Sequence, residues 1–559
     1  MSNYRRLFHL PLTALLAMTC GFPLGCGDVF RSWDYPDCRV PPDRLRQIDT
    51  LDFEAMSAPD GADKPPDAGG RDPASRPAEA DAPAELKLTL EQCRALSLEG
   101  NLDLQVELLN PTIAATGITE AESRFETLFV IDGSYSKTDP PTAGGLGGSQ
   151  AESLAVAPGV QIPMRTGGTI ALDLPVSKSR TEDGTSTLDP YYTADFAVSI
   201  SQPLLRGGGI RANTSAIRIA RLEQQRSEAL TKLEVIQVLA AVDRSYWLLY
   251  AARGELEVRK QRHDLAAAQL ERARRQVAAG AKPETEIVRA ESGVADSLEG
   301  IITAENDVRD RQRDLKRLLQ KPGLGIETPT VILPISPPSV ERHRLDDRRI
   351  VELAMANRME LLELELQIAE DSSSIDFERN QALPLVTLGY TYNVSGLGDS
   401  CSEAFDMLFH KRFEDHSLGL QVEIPIDNQA ARSRLRRAIL TRIQRLATRQ
   451  RRRTLIEQQV YNSIDQLEAN WQRILASRQQ VVYARRVMAA EQRQFDQGLR
   501  TSTEVLQAQT SLADAQSAAI LALTEYQIAQ VDIAVATGML LGADRVRWEP
   551  IIPREISKE

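Results

Sequence analysis

A seven-residue apolar repeat occurs twice in this chain, and it limits the possible architecture more than any other feature. Val242, Leu249, Leu256, His263, Leu270 and Val277 are each seven apart; 218 residues later stand Val460, Leu467, Ile474, Val481, Met488 and Phe495. Beyond Gly280, Ile287, Val294, Ile301, Val308 and Leu315 continue the spacing, and beyond Gly498 so do Val505, Leu512, Ala519, Tyr526 and Ile533. A sustained seven-residue period on a 3.6-residue helix drives a left-handed supercoil. Each copy therefore predicts two long antiparallel helices that meet at a tip turn, where Gly280 or Gly498 supplies the left-handed residue such a turn favours. From Pro203 to Gly280 is about 75 residues, about 110 Å of helix at 1.5 Å per residue. A plain coiled-coil rod satisfies this much, and His263 reads as a packed seam histidine rather than a ligand.

The duplication extends past the helices. Ala95–Leu104 resembles Glu352–Leu361, Thr89 with Gln92 makes a capping box for the first of these helices, and Gln202-Pro203 answers Ile424-Pro425. The offset between copies falls between Gly133 and Pro203, so the first copy carries an insertion there, over 138–189. Between the helices the apolar period changes to two. Phe129, Ile131 and Tyr135 alternate with polar or small residues, as do Phe196, Val198 and Ile200, then Val386 to Val394, then Leu418 to Ile424. Each of these four strands is about ten residues, enough to cross a bilayer when tilted. Such alternation also suits a soluble sheet with one wet face. In lipid, four strands cannot close a barrel, and an open edge leaves backbone groups unpaired, so other copies of the chain must complete it. The polar faces place Asp132, Asp195, Ser199, Thr387, Asn393, Gln421 and Glu423 towards a wet pore. The insertion, including Thr166–Leu174, reads as a further hairpin outside the membrane.

The ends and the composition narrow the class. Arg5 and Arg6 precede an apolar stretch from Leu7 to Phe22 and then Leu24-Gly25-Cys26, the layout of a bacterial export signal. The stretch resembles a lipoprotein signal, which implies cleavage before Cys26 and acylation of its thiol; ordinary signal cleavage is the alternative. Residues 27–85 form a tether, with nine prolines between Asp34 and Ala84, too poor in apolar residues to fold. Beyond the N-terminus no uninterrupted apolar run reaches 18 residues, which argues against a polytopic helical membrane protein. Net charge is −12, the opposite of a nucleic-acid binder's basic balance. Ten arginines crowd into Arg432–Arg453; they read as the solvated face of a helix with Leu435, Ile439, Ile443 and Leu446 packing, or as a patch for anionic headgroups. Five scattered cysteines make no disulfide framework. The five histidines lack metalloprotease spacing, and no phosphate loop or nucleophile elbow appears, so neither an enzyme, a cofactor nor a metal site is expected.

The order of these landmarks, with Ser201–Gly209 where strand returns to helix and the two tip turns, resembles the TolC-like outer-membrane efflux protein family over roughly Leu86 to Leu541. The resemblance implies a mostly α fold with a transmembrane β part: a first repeat over 86–325, a linker over 326–344 in an equatorial belt, a second repeat over 345–541 and a tail over 542–559. It implies a homotrimer whose twelve strands form one β-barrel in outer-membrane lipid, continued by a twelve-helix periplasmic α-barrel. It also implies a periplasmic adaptor and an inner-membrane transporter as partners, and a passive exit duct for a tripartite efflux pump or type I secretion system. The family shuts its duct near the tip. On that pattern Arg500 matches a gating arginine, Glu504 an acidic constriction residue, Gln507 a second such position and Phe495 a tyrosine of the closed state. Thr285 and Glu286 match the residues that pair with them, which predicts Arg500 on Thr285 or Glu286 of a neighbouring copy; solvated tip charges are the plainer alternative. A periplasmic coiled-coil adaptor or structural protein without a pore is the rival reading of the whole.

Overall fold

The computed structural model describes residues 85–139, 150–181 and 188–543. The export signal, Cys26, nearly all of the tether and nearly all of the tail lie outside the described residues. The chain begins with β1 (Glu85–Leu88), α1 (Leu90–Gly100), α2 (Leu102–Glu107) and α3 (Asn110–Ser123). Strands β2 (Leu128–Thr138), β3 (Ala151–Pro163), β4 (Thr169–Asp173), β5 (Val176–Thr181) and β6 (Tyr191–Pro203) follow. A short α4 (Ile210–Asn213) leads into the long α5 (Ser215–Ala278), which turns back as α6 (Thr285–Leu319). After β7 (Val331–Pro334) the plan repeats as α7 (Asp347–Asn357), α8 (Met359–Gln381), β8 (Leu385–Gly398), α9 (Cys401–Phe409), β9 (Glu414–Glu423), α10 (Gln429–Asp496) and α11 (Ser502–Ala536), closed by α12 (Leu540–Ala543).

Local chemistry sets the boundaries. Thr89 and Gln92 form the predicted capping box at α1. Asn101 caps α2, accepting the Leu104 N–H at 3.0 Å, while its amide donates to the Leu318 carbonyl at 3.1 Å and so ties the helix start to α6. The heptad positions form the seams. Val242 and Leu249 of α5 are fully buried with Val308 and Leu315 of α6. Leu467 and Ile474 of α10 are buried with Ala522 and Tyr526 of α11. Each such aliphatic side chain contributes about 1.5–3 kcal/mol on burial. His263 sits in the seam with Nδ1 2.9 Å from the Ser297 hydroxyl, as a packed residue should. Helix α11 is long and apolar enough by composition to cross a bilayer; it packs between α5 and α10, with a third of its most apolar stretch buried there.

The segment between the repeats is strapped onto the first repeat. β1 pairs with β7 in parallel. The Tyr246 hydroxyl donates to the Leu88 carbonyl at 3.2 Å and accepts the Ser336 N–H at 2.8 Å. Nearby, Arg94 holds the wholly buried Asp243 through two bonds of 2.7 and 2.8 Å. Burial raises the Asp243 carboxyl and Arg94 pulls it back only in part, whereas burial and the adjacent Asp243 push the Cys93 thiol up to about 12.

The sheet departs from the sequence expectation. It has seven strands, ordered β2-β3-β4-β6-β8-β9, with β5 following β4 between β3 and β6. Four strands were expected, with 138–189 lying apart from them; instead that segment supplies β3, β4 and β5 within the same sheet. Its alternation was faint because Pro158 and Gly159 interrupt β3 and the three alanines of that strand blur the contrast between faces. At the far end of β8, α9 folds back onto the apolar face, burying Ala404 and Leu408 against Ala194 and Val394. Gly396 permits this approach, since a Cβ there would stand 2.0 Å from the Ala404 carbonyl oxygen.

The arginine-rich start of α10 is partly paired: Arg434 with Glu378, Arg445 with Asp371 and Arg449 with Glu365, all on α8. The expected packing of Ile439, Ile443 and Leu446 within the chain is not found. All three are exposed, because α10 lies at the lateral edge of the row α3-α5-α8-α10 and has a neighbour on one side only.

Candidate functional site

Two regions carry the expected functional residues, the tip and the sheet wall. At the tip both turns use a left-handed glycine, Gly280 at φ +70° and Gly498 at φ +79°. Each closes with matching bonds, Ala281 N–H to the Gln276 carbonyl at 2.8 Å and Leu499 N–H to the Gln494 carbonyl at 2.9 Å. This is the Schellman arrangement that ends a helix and reverses the chain.

The two tips of one chain are fastened to each other. Lys282, on the first turn, donates to the Arg500 carbonyl at 2.6 Å, and its ammonium lies 4.8 Å from the centre of the fully buried Phe495 ring. Glu286 is buried; one oxygen accepts the Ser502 N–H at 2.7 Å and the other accepts Arg289 at 2.7 Å. Burial alone would raise the Glu286 carboxyl, but the Ser502 and Arg289 bonds outweigh it and hold it below the usual range. The carboxylate also sits at the positive end of α11.

Arg500 is occupied within its own hairpin. It donates to Glu504 at 2.5 Å and to Gln494 at 2.9 Å, with Glu491 at 3.2 Å. Glu504 accepts the Thr501 N–H at 2.7 Å, closing a capping box on α11. That bond and Arg500 lower the Glu504 carboxyl, and the acids in turn raise Arg500. Within one chain, then, Glu286 meets the second tip through Ser502, not through Arg500. Thr285 and Gln507 are exposed, and Gln507 borders a polar cleft of about 280 Å³ with Arg262, Arg289 and Asp296. Lys282, Arg289, Gln494 and Ser502 were not singled out from sequence. A signal existed for the first: Lys282 and Arg500 are 218 apart, the same offset as the two glycines.

In the wall the register places all seven expected residues on one face. Asp195 pairs with Ser395, Ser199 with Thr391 and Ala197 with Asn393 between β6 and β8; Thr387 pairs with Gln421 and Leu385 with Glu423 between β8 and β9. Asp132 opposes Ala157, whose face continues through β4 to Ser199. The opposite face bears Phe129, Ile131, Phe196, Ile200, Leu418 and Leu420, all exposed. An uncovered apolar surface of this extent marks an interaction with lipid or protein. Among the described residues no His, Cys, Asp and Glu cluster could hold a metal ion.

Paired coiled-coil hairpins merge here with a two-faced sheet that is open at both lateral edges among the described residues. The sequence profile of the outer membrane efflux proteins matches residues 169–320 and 350–539, more than half of the chain. The chain belongs to the outer membrane efflux protein family. Its fold is similar to the outer-membrane channel OprN (14% identity, TM-score 0.61, covering 80% of this chain and 89% of that one). It is also similar to VceC of Vibrio cholerae (14%, 0.59, 80% and 96%) and to the CmeC channel of Campylobacter jejuni (14%, 0.60, 81% and 86%). A comparison with curated proteins by sequence finds no match.

Proposed function

We propose that the protein is a passive exit duct of an outer membrane, formed by three copies around one pore and shut at the helical tip. The observation that carries this reading is the pair of unfinished lateral edges. In the sheet, β2 and β9 each lack a neighbour on one side among the described residues. Among the helices, Leu102, Val106, Leu109 and Ile113 are exposed along α2 and α3 at one edge, and Leu440, Ile443, Leu475 and Val482 along α10 at the other. The two edges differ, so the contact between copies is head-to-tail, and such a contact makes a ring when the rotation from copy to copy closes. Lipid meets the apolar face and water the face of Asp195 and Gln421, which favours cations.

Energy comes from elsewhere. A periplasmic adaptor grips the helical end and an inner-membrane transporter drives cargo in, as the family membership supports. Arg500, Glu504 and Gln507, with Thr285, set the constriction, while the buried Glu286 and Phe495 hold the two turns together; export through the N-terminal signal, with Cys26 acylated, anchors the tether in the membrane. Conductance across a planar bilayer tests the reading. Purified full-length protein is expected to give small cation-selective steps, enlarged by Arg500→Ala, and Glu504→Ala is expected to change the selectivity. Absence of any steps from correctly folded protein overturns the duct.

A further inference from the structure

We propose that the membrane wall is built from eighteen strands, six tracks from each of three copies, and is wider than a wall of four strands per copy. The inference rests on the ring reading above and adds the number of strands, which that reading leaves free.

The second repeat serves as an internal control. There β8 and β9 pair directly, Leu385 with Glu423 through to Val394 with Glu414. Their counterparts β2 and β6 do not pair. Instead β3 pairs with β2 over all of Leu128–Thr138, β4 and β5 pair with β3 on one side, and both pair with β6 on the other. The insertion is therefore spliced into the plane of the sheet between two strands that its twin keeps adjacent.

Over β4 and the half of β3 that pairs with it, the insertion keeps the wall's chemistry, whereas beyond them Glu152, Lys178 and Arg180 share the face of Leu154 and Val156. One row across the apolar face reads Ile162, Ile170, Ile200, Tyr390, Leu418, and the row behind it reads Gln161, Ala171, Ser199, Thr391, Ser417. A hairpin lying in water has no reason to keep both faces in step with the strands beside it. β3 has 13 residues, and β4 with β5 covers the same height, so both tracks are long enough to span. Because the new tracks are paired on both sides, the edges left for neighbouring copies are the outer sides of β2 and β9.

Strands spaced ~4.8 Å apart and tilted ~40° each occupy about 6 Å of circumference. Two extra tracks in each of three copies add about 38 Å of circumference, or about 12 Å of diameter. The lining they bring is mostly small, with Ser153, Ala155, Ala157, Ser177 and Ser179 beside Gln161 and Asp173 on the wet face.

The test is single-particle imaging of the full-length protein in lipid nanodiscs, with native mass spectrometry for copy number. Three copies and eighteen strands at mid-wall are expected. Three copies with twelve strands, and 138–189 folded outside the wall, overturn the proposal and leave the ring intact; any other copy number overturns the ring reading and this count with it. Brominated phospholipid supplies a second readout. Leu172→Trp should lose most of its fluorescence to the bromines and Ala171→Trp little, whereas equal, weak quenching at both places the hairpin outside lipid.

Discussion

Replacing Glu286 by Ala separates two kinds of tip charge, one buried and structural, the others solvated. The substitution removes the acceptor of the Ser502 N–H, a backbone donor at a wholly buried residue. A stranded buried amide costs about 1–3 kcal/mol. Loss of the anion at the start of α11 adds about 0.3–1 kcal/mol. Arg289 is half-exposed and returns to water at little cost. The sum is about 2 kcal/mol, which corresponds to about 30-fold in an opening equilibrium. Hydrogen exchange of the amides over 501–506 reads that equilibrium, with about 30-fold faster exchange expected in Glu286→Ala and a smaller change in Glu286→Gln, which keeps an acceptor. The pH dependence has a definite sign. The folded carboxyl is held below its ordinary value, so its contribution is complete above the unfolded carboxylate range near ~4.3 and disappears as pH falls through the lower folded value. Protection at the start of α11 should therefore weaken only at acidic pH, and in Glu286→Ala that acid step should vanish. Unchanged exchange in Glu286→Ala refutes the reasoning.

Three further perturbations address other parts of the molecule. Arg94→Ala leaves Asp243 buried without its cation and should cost about 3–5 kcal/mol, visible as a lower thermal midpoint, while Arg94→Ala with Asp243→Asn should recover part of the loss. Gly396→Val drives a side chain into the Ala404 carbonyl and should lift α9 off the sheet, giving protease cleavage within 399–413 that the unaltered protein resists. On the wall, Leu420→Arg puts a charge on the lipid face and should cost about 2–4 kcal/mol at mid-depth, seen as reduced assembly in membranes. Gln421→Arg, one residue on, should preserve assembly and shift selectivity towards anions.

Much of the helical frame was legible because burial imposes a period that survives sequence change. Val242, Leu249, Val460 and Leu467 carry the seam and lie in the core at less than 6% exposure. The tip turns were equally legible, since a left-handed residue without a Cβ penalty is a local demand that Gly280 and Gly498 meet. The wall was half legible: Val386–Val394 alternates strongly, whereas 151–163 places Pro158 and alanines where the contrast should be and conceals a strand. The tip contacts were the least legible. Glu286 reaches Ser502 across 216 residues, and Lys282 reaches a backbone carbonyl, which no side-chain pattern can announce. The outer residues of α10 misled for a different reason: Ile439 and Ile443 have the spacing of packed positions, but no element among the described residues covers them.

Copy number in the membrane bears most directly on the account, because every unfinished edge in this fold is assigned to another copy of it. The mass of the detergent-solubilised full-length protein should correspond to three chains that dissociate only with loss of the β-sheet signal. A single chain that stays folded in plain buffer, its sheet and α10 edges satisfied from within, contradicts the account.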